Sequence, residues 1–364
     1  MNQEPSLPPR GQARKGAAAA KPSKPKPRKP PGGKRKKKSP LWVIILTIIL
    51  GLLILAGLAL GYVLLKADST FNSISIADDI ADAPVTPVPV EESVKEKPVS
   101  IVLMGVDTRP KGGSLNTDVM MVASFDPKTK TAAVVSMPRD SYINVDGYRA
   151  RKANQFYADF YVSAIRDGAT KEQAEAEGKK AVREVLGKLY GIDVQYAAVI
   201  NFQGFADVVD ALGGVEVDVD MRMKYYSKAD GTNIDLHKGR QPLNGEQALG
   251  FVRYRQSNDG SNPSSDFDRN RRQTEVVGAI VDKLMTLGGA AKIGSVLDAV
   301  GDNVKADMPA GEMRRMLSTY FGVRSDDITF MSVKGSWKSP FVYLEEASLA
   351  EARELLQSKM AVKP

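Results

Sequence analysis

Twenty-five consecutive residues without a charge, at 41–65 (LWVIILTIILGLLILAGLALGYVLL), constrain this 364-residue chain more than any other feature. As a helix the run spans roughly 37 Å, enough to cross a ~30 Å hydrocarbon core with some tilt. A cleaved signal peptide carries an apolar stretch of only about 7–15 residues, so this longer run reads as an uncleaved transmembrane signal-anchor. The basic run GKRKKK at 33–38 stands directly before it. By the positive-inside rule the N-terminus stays cytoplasmic and everything beyond residue 65 lies outside. The expectation is a single-pass protein of the cell membrane with an extracytoplasmic folded part.

Charge divides the chain in the same way. Of 51 Lys and Arg and 43 Asp and Glu, residues 1–40 hold thirteen basic residues and one acidic residue, Glu4. The formal net charge of +8 therefore belongs to the tail, and the rest of the chain is slightly acidic. A broad nucleic-acid-binding surface on the folded part is disfavoured, so no nucleic acid is expected as a partner. Residues 1–40, rich in Pro, Lys, Ala and Gly, read as a disordered basic cytoplasmic tail whose charge sets topology, with anionic-lipid binding as the alternative. Residues 66–97 read as an extracytoplasmic linker held extended by Pro84, Pro87 and Pro89. The globular part runs over 98–364.

The chain has no cysteine and a single histidine, His237. Disulfides, thiolate metal sites, cysteine nucleophiles and two-histidine sites are excluded. The motifs GxxxxGK[ST], GxGxxG, GxSxG and HExxH are missing. His237, in a polar stretch, is expected at the surface or a rim, without a catalytic role.

Patterning predicts three strands at 99–106, 118–125 and 131–137. A helix begins near Thr170, where Thr170 and Gln173 fit a capping box, and runs towards Tyr190. A strand at 196–201, a helix at 202–212 ended by Gly213-Gly214, and a strand at 215–219 follow. A short helix or turn covers 244–253, and a helix runs from about Arg269 to Leu287 with Asp266 or Asp268 as N-cap. Two more helices and a strand at 327–333 fill the rest. Alternating helices and strands imply an α/β or α+β sheet covered by helices.

If the first two strands pair antiparallel, the end of the first meets the start of the second. Asp107 and Asp118 then share one sheet edge, and the third strand returns Arg139 and Asp140 to it, near Arg109. Two carboxylates with neighbouring arginines suit a divalent cation bridging to phosphate oxygens. Spacing alone equally allows aspartates that cap turns and pair with surface arginines. A second concentration, FVRYRQSNDGSNPSSDFDRNRRQ at 251–273, carries Arg253, Arg255, Arg269 and Arg272. Arg253 and Arg255, two apart, point the same way on an extended segment. Arg269 and Arg272, three apart, share a helix face. The pattern fits a pyrophosphate clamp, or a solvated loop of ion pairs.

Seven segments in order resemble the LytR–CpsA–Psr family of bacterial cell-wall glycopolymer transferases. They are LMGVDTR (103–109), NTDVMM (116–121), SMPRDSY (136–142), RKANQFYA (151–158), VINFQGFADVVDALGGVEVDV (199–219), LNGEQALGFVRYR (243–255) and DFDRNRRQ (266–273). The resemblance implies a single α/β/α domain with a central mixed sheet, its motifs within 98–287 and its completion in 288–364. It implies a phosphotransferase that moves a glycopolymer, teichoic acid or capsule, from a polyprenyl-pyrophosphate carrier to peptidoglycan as a phosphodiester. Asp107 and Asp118 match the family's Mg²⁺-associated aspartates (Mn²⁺ being the alternative ion). Arg139, Arg253, Arg255, Arg269 and Gln273 match its pyrophosphate-site residues, and Arg272 lies in the same motif. Lys152 matches a family lysine, and Arg109 and Asp140 match further motif positions. Asp140 or Asp107 would take the acceptor proton. An apolar tunnel for the prenyl chain is expected along helices such as 202–212. The sequence departs at Val119, Ala153 and Asp268, where Thr, Ile or Leu, and Gly are common. A hydrolase using the same site and a non-catalytic wall-polymer-binding membrane protein are the alternatives.

Overall fold

The computed structural model describes residues 69–77, 87–108, 114–229, 231–286, 292–301 and 303–361. The expected tail and anchor lie outside these, as does Arg109. Among the described residues no helix is long and apolar enough to cross a membrane.

Apolar patterning builds the sheet from its centre. β1 (Val99–Asp107) is nearly continuous apolar, as befits a strand covered on both faces. β2 (Ser114–Asp126) pairs with it antiparallel, and β3 (Thr131–Ser136) pairs antiparallel with β2. The tight turn between them is held by Asp126, whose Oδ1 accepts from Lys128 N at 2.9 Å. Two short ladder strands, β4 (Tyr142–Ile143) and β5 (Arg151–Lys152), precede α1 (Gln155–Arg166) and α2 (Lys171–Tyr190). The expected Thr170–Gln173 capping box opens α2, and Gly191 ends it at φ 67°, where a side chain would be strained. β6 (Tyr196–Asn201) pairs parallel with β1 and leads directly into α3 (Phe202–Ala211), capped by Asn201.

A smaller core forms beyond α3. β7 (Val215–Val219) pairs with β10 (Gly239–Leu243), and β8 (Met223–Tyr226) pairs with β9 (Asn233–Leu236). These ribbons close over α4 (Gly245–Arg253) and α5 (Asp266–Leu284), burying Val215, Met223, Leu236 and Phe251. The chain continues through α6 (Ile293–Gly301), β11 (Val304–Ala306), α7 (Ala310–Tyr320), β12 (Ile328–Ser332), β13 (Gly335–Lys338), β14 (Phe341–Leu344) and α8 (Glu346–Met360).

The main sheet has the order β11-β6-β1-β2-β3-β12 and mixes parallel and antiparallel pairs. Side-chain alternation on β2 sends Met120 and Val122 into one core with α1, α2 and α8, and Met121 and Ala123 into another against α5. Helices thus cover both faces, giving the α/β/α domain with a central mixed sheet that the resemblance implied.

Three expectations need correction. The long helix of the arginine motif starts at Asp266, and its N-cap is Ser265, not Asp266 or Asp268; Asp268 is the third helical residue and closes a capping box with Ser265. Among its described residues the C-terminal region holds three helices and four strands, where two helices and one strand were expected. Strands of three or four residues such as β11 are too short for a period of two to register. Finally, α1 was not anticipated as a separate helix, because its Phe and Tyr positions carry weak helix propensity.

Part of the expected linker belongs to the fold. Phe71, Ile74 and Val94 are buried with Leu297 and Met308, and Ser75 bridges to Ala306 on β11.

Candidate active site

Asp107 and Asp118 share one sheet edge as expected, although β2 begins at Ser114, which pairs with Asp107, and not at Asp118. Asp107 ends β1, and the β1–β2 register passes from Gly105↔Val119 to Val106↔Thr117, leaving Asp118 unpaired as a bulge residue. A bulge re-aims a side chain that regular pleating would direct elsewhere. Arg139 follows β3 and Pro138, and its guanidinium is ion-paired with Asp118. Its carbonyl accepts from Asn154 N at 3.0 Å, while Asn154 O accepts from Thr117 N at 3.2 Å, so one backbone stitch holds both partners.

The second arginine cluster closes the other side. Arg253 is the last residue of α4; its guanidinium lies 4.5 Å from the Phe202 ring centroid, and Nη2 lies 3.6 Å from Asp107 Oδ2. The Phe202 ring supports the cation while leaving its edge for an anion. Arg269, in the first turn of α5, is buried and ion-paired with Asp266. Burial, and then the neighbouring Arg139 cation, push its guanidinium down to about 10, so it remains charged at neutral pH. The Nε atoms of Arg139 and Arg269 are buried and donate no hydrogen bond among the described residues. Two desolvated donors of this kind are costly unless an anion receives them.

Asp107, Asp118, Arg139, Arg253, Arg255, Arg269 and Gln273 all line one open cavity of about 770 Å³. Behind it lies an apolar cavity of about 270 Å³, walled by Leu103, Met121, Ile200, Phe205, Val208, Leu249, Val277 and Ile280. Val119, Phe202, Val252 and Gln273 line both cavities, so the charged space and the greasy one share a wall. The α3 residues Phe202, Phe205 and Val208 supply the wall expected from helix 202–212.

Three expected site residues lie away from the cavity wall. Arg272 is wholly buried and turned from it: Nε and Nη2 hold Asp220 at 2.8 and 2.9 Å, and Nη1 donates to Ser264 Oγ at 2.8 Å. It positions Ser264, which lines the cavity, and the shared helix face expected for Arg269 and Arg272 splits between ligand side and scaffold. Asp140 and Lys152 both lie outside the cavity lining and pair with each other, Nζ to Oδ1 at 2.9 Å, with Asp140 Oδ2 3.7 Å from Arg139 Nε. His237 is exposed, as expected. The extra carboxylate of Asp268 accepts from Ser265 N and Oγ at 2.8 and 2.7 Å and is spent on the cap. Sequence reasoning missed Phe202 beneath Arg253 and Asp220 beneath Arg272, since neither lies in a charged cluster or a recognisable spacing.

The profile of the LytR_cpsA_psr family matches residues 62–359. The chain belongs to this family. Its relatives include the polyisoprenyl-teichoic acid–peptidoglycan teichoic acid transferase TagU of Bacillus subtilis, 32% identical, covering 80% of this chain and 85% of the relative. Among solved structures, that of B. subtilis TagV superposes with TM-score 0.57 at 27% identity, covering 74% of this chain and 100% of that one. TagT bound to LIIa-WTA gives TM-score 0.53 at 25% identity, covering 76% and 100%. Family membership accounts for the order of the seven segments and for the placement of six of their charged residues around one cavity.

Burial raises the Asp220 carboxyl, but the Arg272 hydrogen bonds and the charges of Arg272 and Arg271 outweigh it, so Asp220 titrates below the usual carboxylate range. Two carboxylates on the lining of this arginine-rich cavity match the donor set of Mg²⁺, which completes its shell with phosphate oxygens and water. Among the described residues no group of three or more acidic or histidine side chains gathers as a metal cage. The donor set fits a substrate-shared ion rather than one held by protein alone.

Proposed function

We propose that this chain is a phosphotransferase that moves a glycopolymer, of the teichoic acid or capsule kind, from a polyprenyl-pyrophosphate carrier to peptidoglycan. The observation that carries the reading is the adjacency of the two cavities, an arginine-lined space suited to a pyrophosphate sharing a wall with an apolar one suited to its lipid. Arg139, Arg253 and Arg269 supply the charge that spreads over the pyrophosphate oxygens as the bond breaks. The acceptor hydroxyl oxygen bonds to the phosphorus that carries the glycopolymer, and the bond from that phosphorus to the bridging oxygen breaks. Polyprenyl phosphate leaves, its chain remaining in the apolar cavity and the membrane. Of the two carboxylates considered as proton acceptor, Asp107 lines the cavity and Asp140 does not. Asp107 and Asp118 would hold Mg²⁺, which when bound neutralises part of the pyrophosphate charge.

The run at 41–65 would act as the membrane anchor, with the N-terminus cytoplasmic and the catalytic domain outside. Such an anchor keeps the enzyme on the surface that holds its donor.

The test incubates the full chain in detergent with a polyprenyl-pyrophosphate saccharide, peptidoglycan fragments and Mg²⁺, and reads products by mass spectrometry. A sugar-phosphate adduct on the glycan, lost in Arg139→Ala and in Arg253→Ala, is expected. Released sugar phosphate without adduct would replace the transferase reading by hydrolysis. No reaction with several donors, with donor binding retained, would favour a binding protein.

A further inference from the structure

The β13–β14 ribbon places an unusual residue beside the active site. Trp337 is 56% exposed, although indole rings ordinarily bury most of their surface. The ribbon that carries it is fixed. Val342 N donates to Asp140 O at 2.9 Å, and Ser141 bridges to Val342. Tyr142 packs its ring against Phe341 and Tyr343 with centroids 5.1 and 5.4 Å apart. Held this way, the backbone beneath the indole gives up little conformational entropy when something lands on the ring.

Its surroundings connect it to the reaction centre. Lys152 Nζ lies 5.9 Å from the Trp337 ring centroid and 2.9 Å from Asp140 Oδ1. Asp140 in turn adjoins Arg139, which lines the pyrophosphate cavity. The donor, with its lipid, accounts for the charged cavity and the apolar one behind it. A second polymer must therefore approach from the open rim, and the Trp337 side of Arg139 is a rim with an aromatic plane and a cation.

We propose that Trp337 and Lys152 form a subsite for the acceptor glycan strand, the indole stacking on the apolar face of an N-acetylated hexosamine and the ammonium meeting its carboxylate-bearing substituents. A protein partner would favour a contiguous apolar patch with a polar rim. One exposed ring beside a cation instead suits a sugar, whose apolar face is one ring wide. The proposal rests on the reading of the chain as a peptidoglycan-directed transferase.

The chain contains only two tryptophans, Trp42 and Trp337, so Trp42→Phe leaves Trp337 as the sole indole. In that variant, as full chain in detergent, emission is titrated with a neutral N-acetylglucosamine hexamer and with a muropeptide glycan bearing free carboxylates. Saturable change with both ligands is expected, with Lys152→Gln weakening the charged one roughly tenfold and leaving the neutral one within about twofold. In the wild-type background, Trp337→Ala should reduce co-sedimentation with peptidoglycan sacculi at high salt roughly tenfold, and Trp337→Phe should restore part of it. Emission that ignores both ligands, or sacculus binding equal in Trp337→Ala and the parent, overturns the proposal. None of these measurements requires donor or turnover, so they report on this subsite even if the transferase reading fails.

Discussion

Single residues separate into those that face the ligand and those that hold them. Arg139 and Arg253 line the cavity with their cations against Asp118 and Asp107. Removing a preorganised charge that acts on developing negative charge costs about 3–4 kcal/mol of barrier, or 10²–10³ in rate. Arg139→Ala and Arg253→Ala are expected to lose at least that much in kcat/KM, with melting temperatures close to the parent, measured by product formation and thermal unfolding. Arg272 should do the reverse. It is buried against Phe251 and Tyr254, and its bidentate pair with Asp220 would leave a stranded carboxylate if broken. Arg272→Ala should therefore destabilise on the order of 3 kcal/mol in denaturant unfolding, and Asp220→Asn should not add its full cost to it. Because the Asp220 carboxyl is depressed in the fold, its contribution is complete at neutral pH and disappears as pH falls through its folded value. Asp220→Asn should accordingly flatten the acid limb of stability against pH below the ordinary carboxylate range; an unchanged limb would exclude the pair as its source. The sequence made Arg269 and Arg272 look equivalent, since spacing reports a shared helix face and says nothing of Asp220, fifty residues upstream on a different loop.

At the scale of elements, the legible parts were those with strong local signals. β1, β2 and β3 announced themselves by long apolar runs, and α2 by a capping box, so the approach of Asp107, Asp118 and Arg139 to one sheet edge followed from strand direction. The short strands β11, β13 and β14 did not, because three or four residues carry too little pattern, and β11 in addition pairs with β6, far away in sequence. The same limit hid the Trp337 ribbon. The α3–α4 crossing shows what tertiary contact adds. A Cβ on Gly245 would lie 2.2 Å from Ala206 O, so the helices approach at backbone distance. That approach helps shape the apolar cavity, to which α3 contributes Phe205 and Val208 and α4 Leu249. Val277 on α5 lies on the facing wall. Val277→Phe should fill part of the cavity and raise KM roughly tenfold for long-chain polyprenyl donors, while a donor with a short prenyl chain loses far less. Equal losses for both chain lengths would show that the lipid lies elsewhere.

At the scale of the whole molecule, the stretch before the domain is more than a spacer. Its composition, rich in proline and charge towards the domain, reads as a linker, and only the structure reveals that the part nearer the apolar run docks. Ile76 N donates to Ala306 O at 2.9 Å, Lys305 Nζ donates to Ser73 O at 2.6 Å, and Phe71 and Ile74 fill a core with Leu297 and Met308. Burying two such side chains is worth about 2 kcal/mol each. The contact falls on β11, whose Val304 lines the apolar cavity. Tether and lipid site therefore share a strand, and loosening one should loosen the other. A chain starting at residue 87 is expected to melt several degrees lower than one starting at residue 66 and to bind a polyprenyl-pyrophosphate donor more weakly, by scanning calorimetry and donor titration on the two proteins. Phe71→Ala with Ile74→Ala in the longer protein should reproduce most of both effects, which separates lost packing from lost length. Coincident melting curves would mean that the segment rests on β11 without supporting it. A lower melting temperature with unchanged donor affinity would mean that the support stops short of Val304.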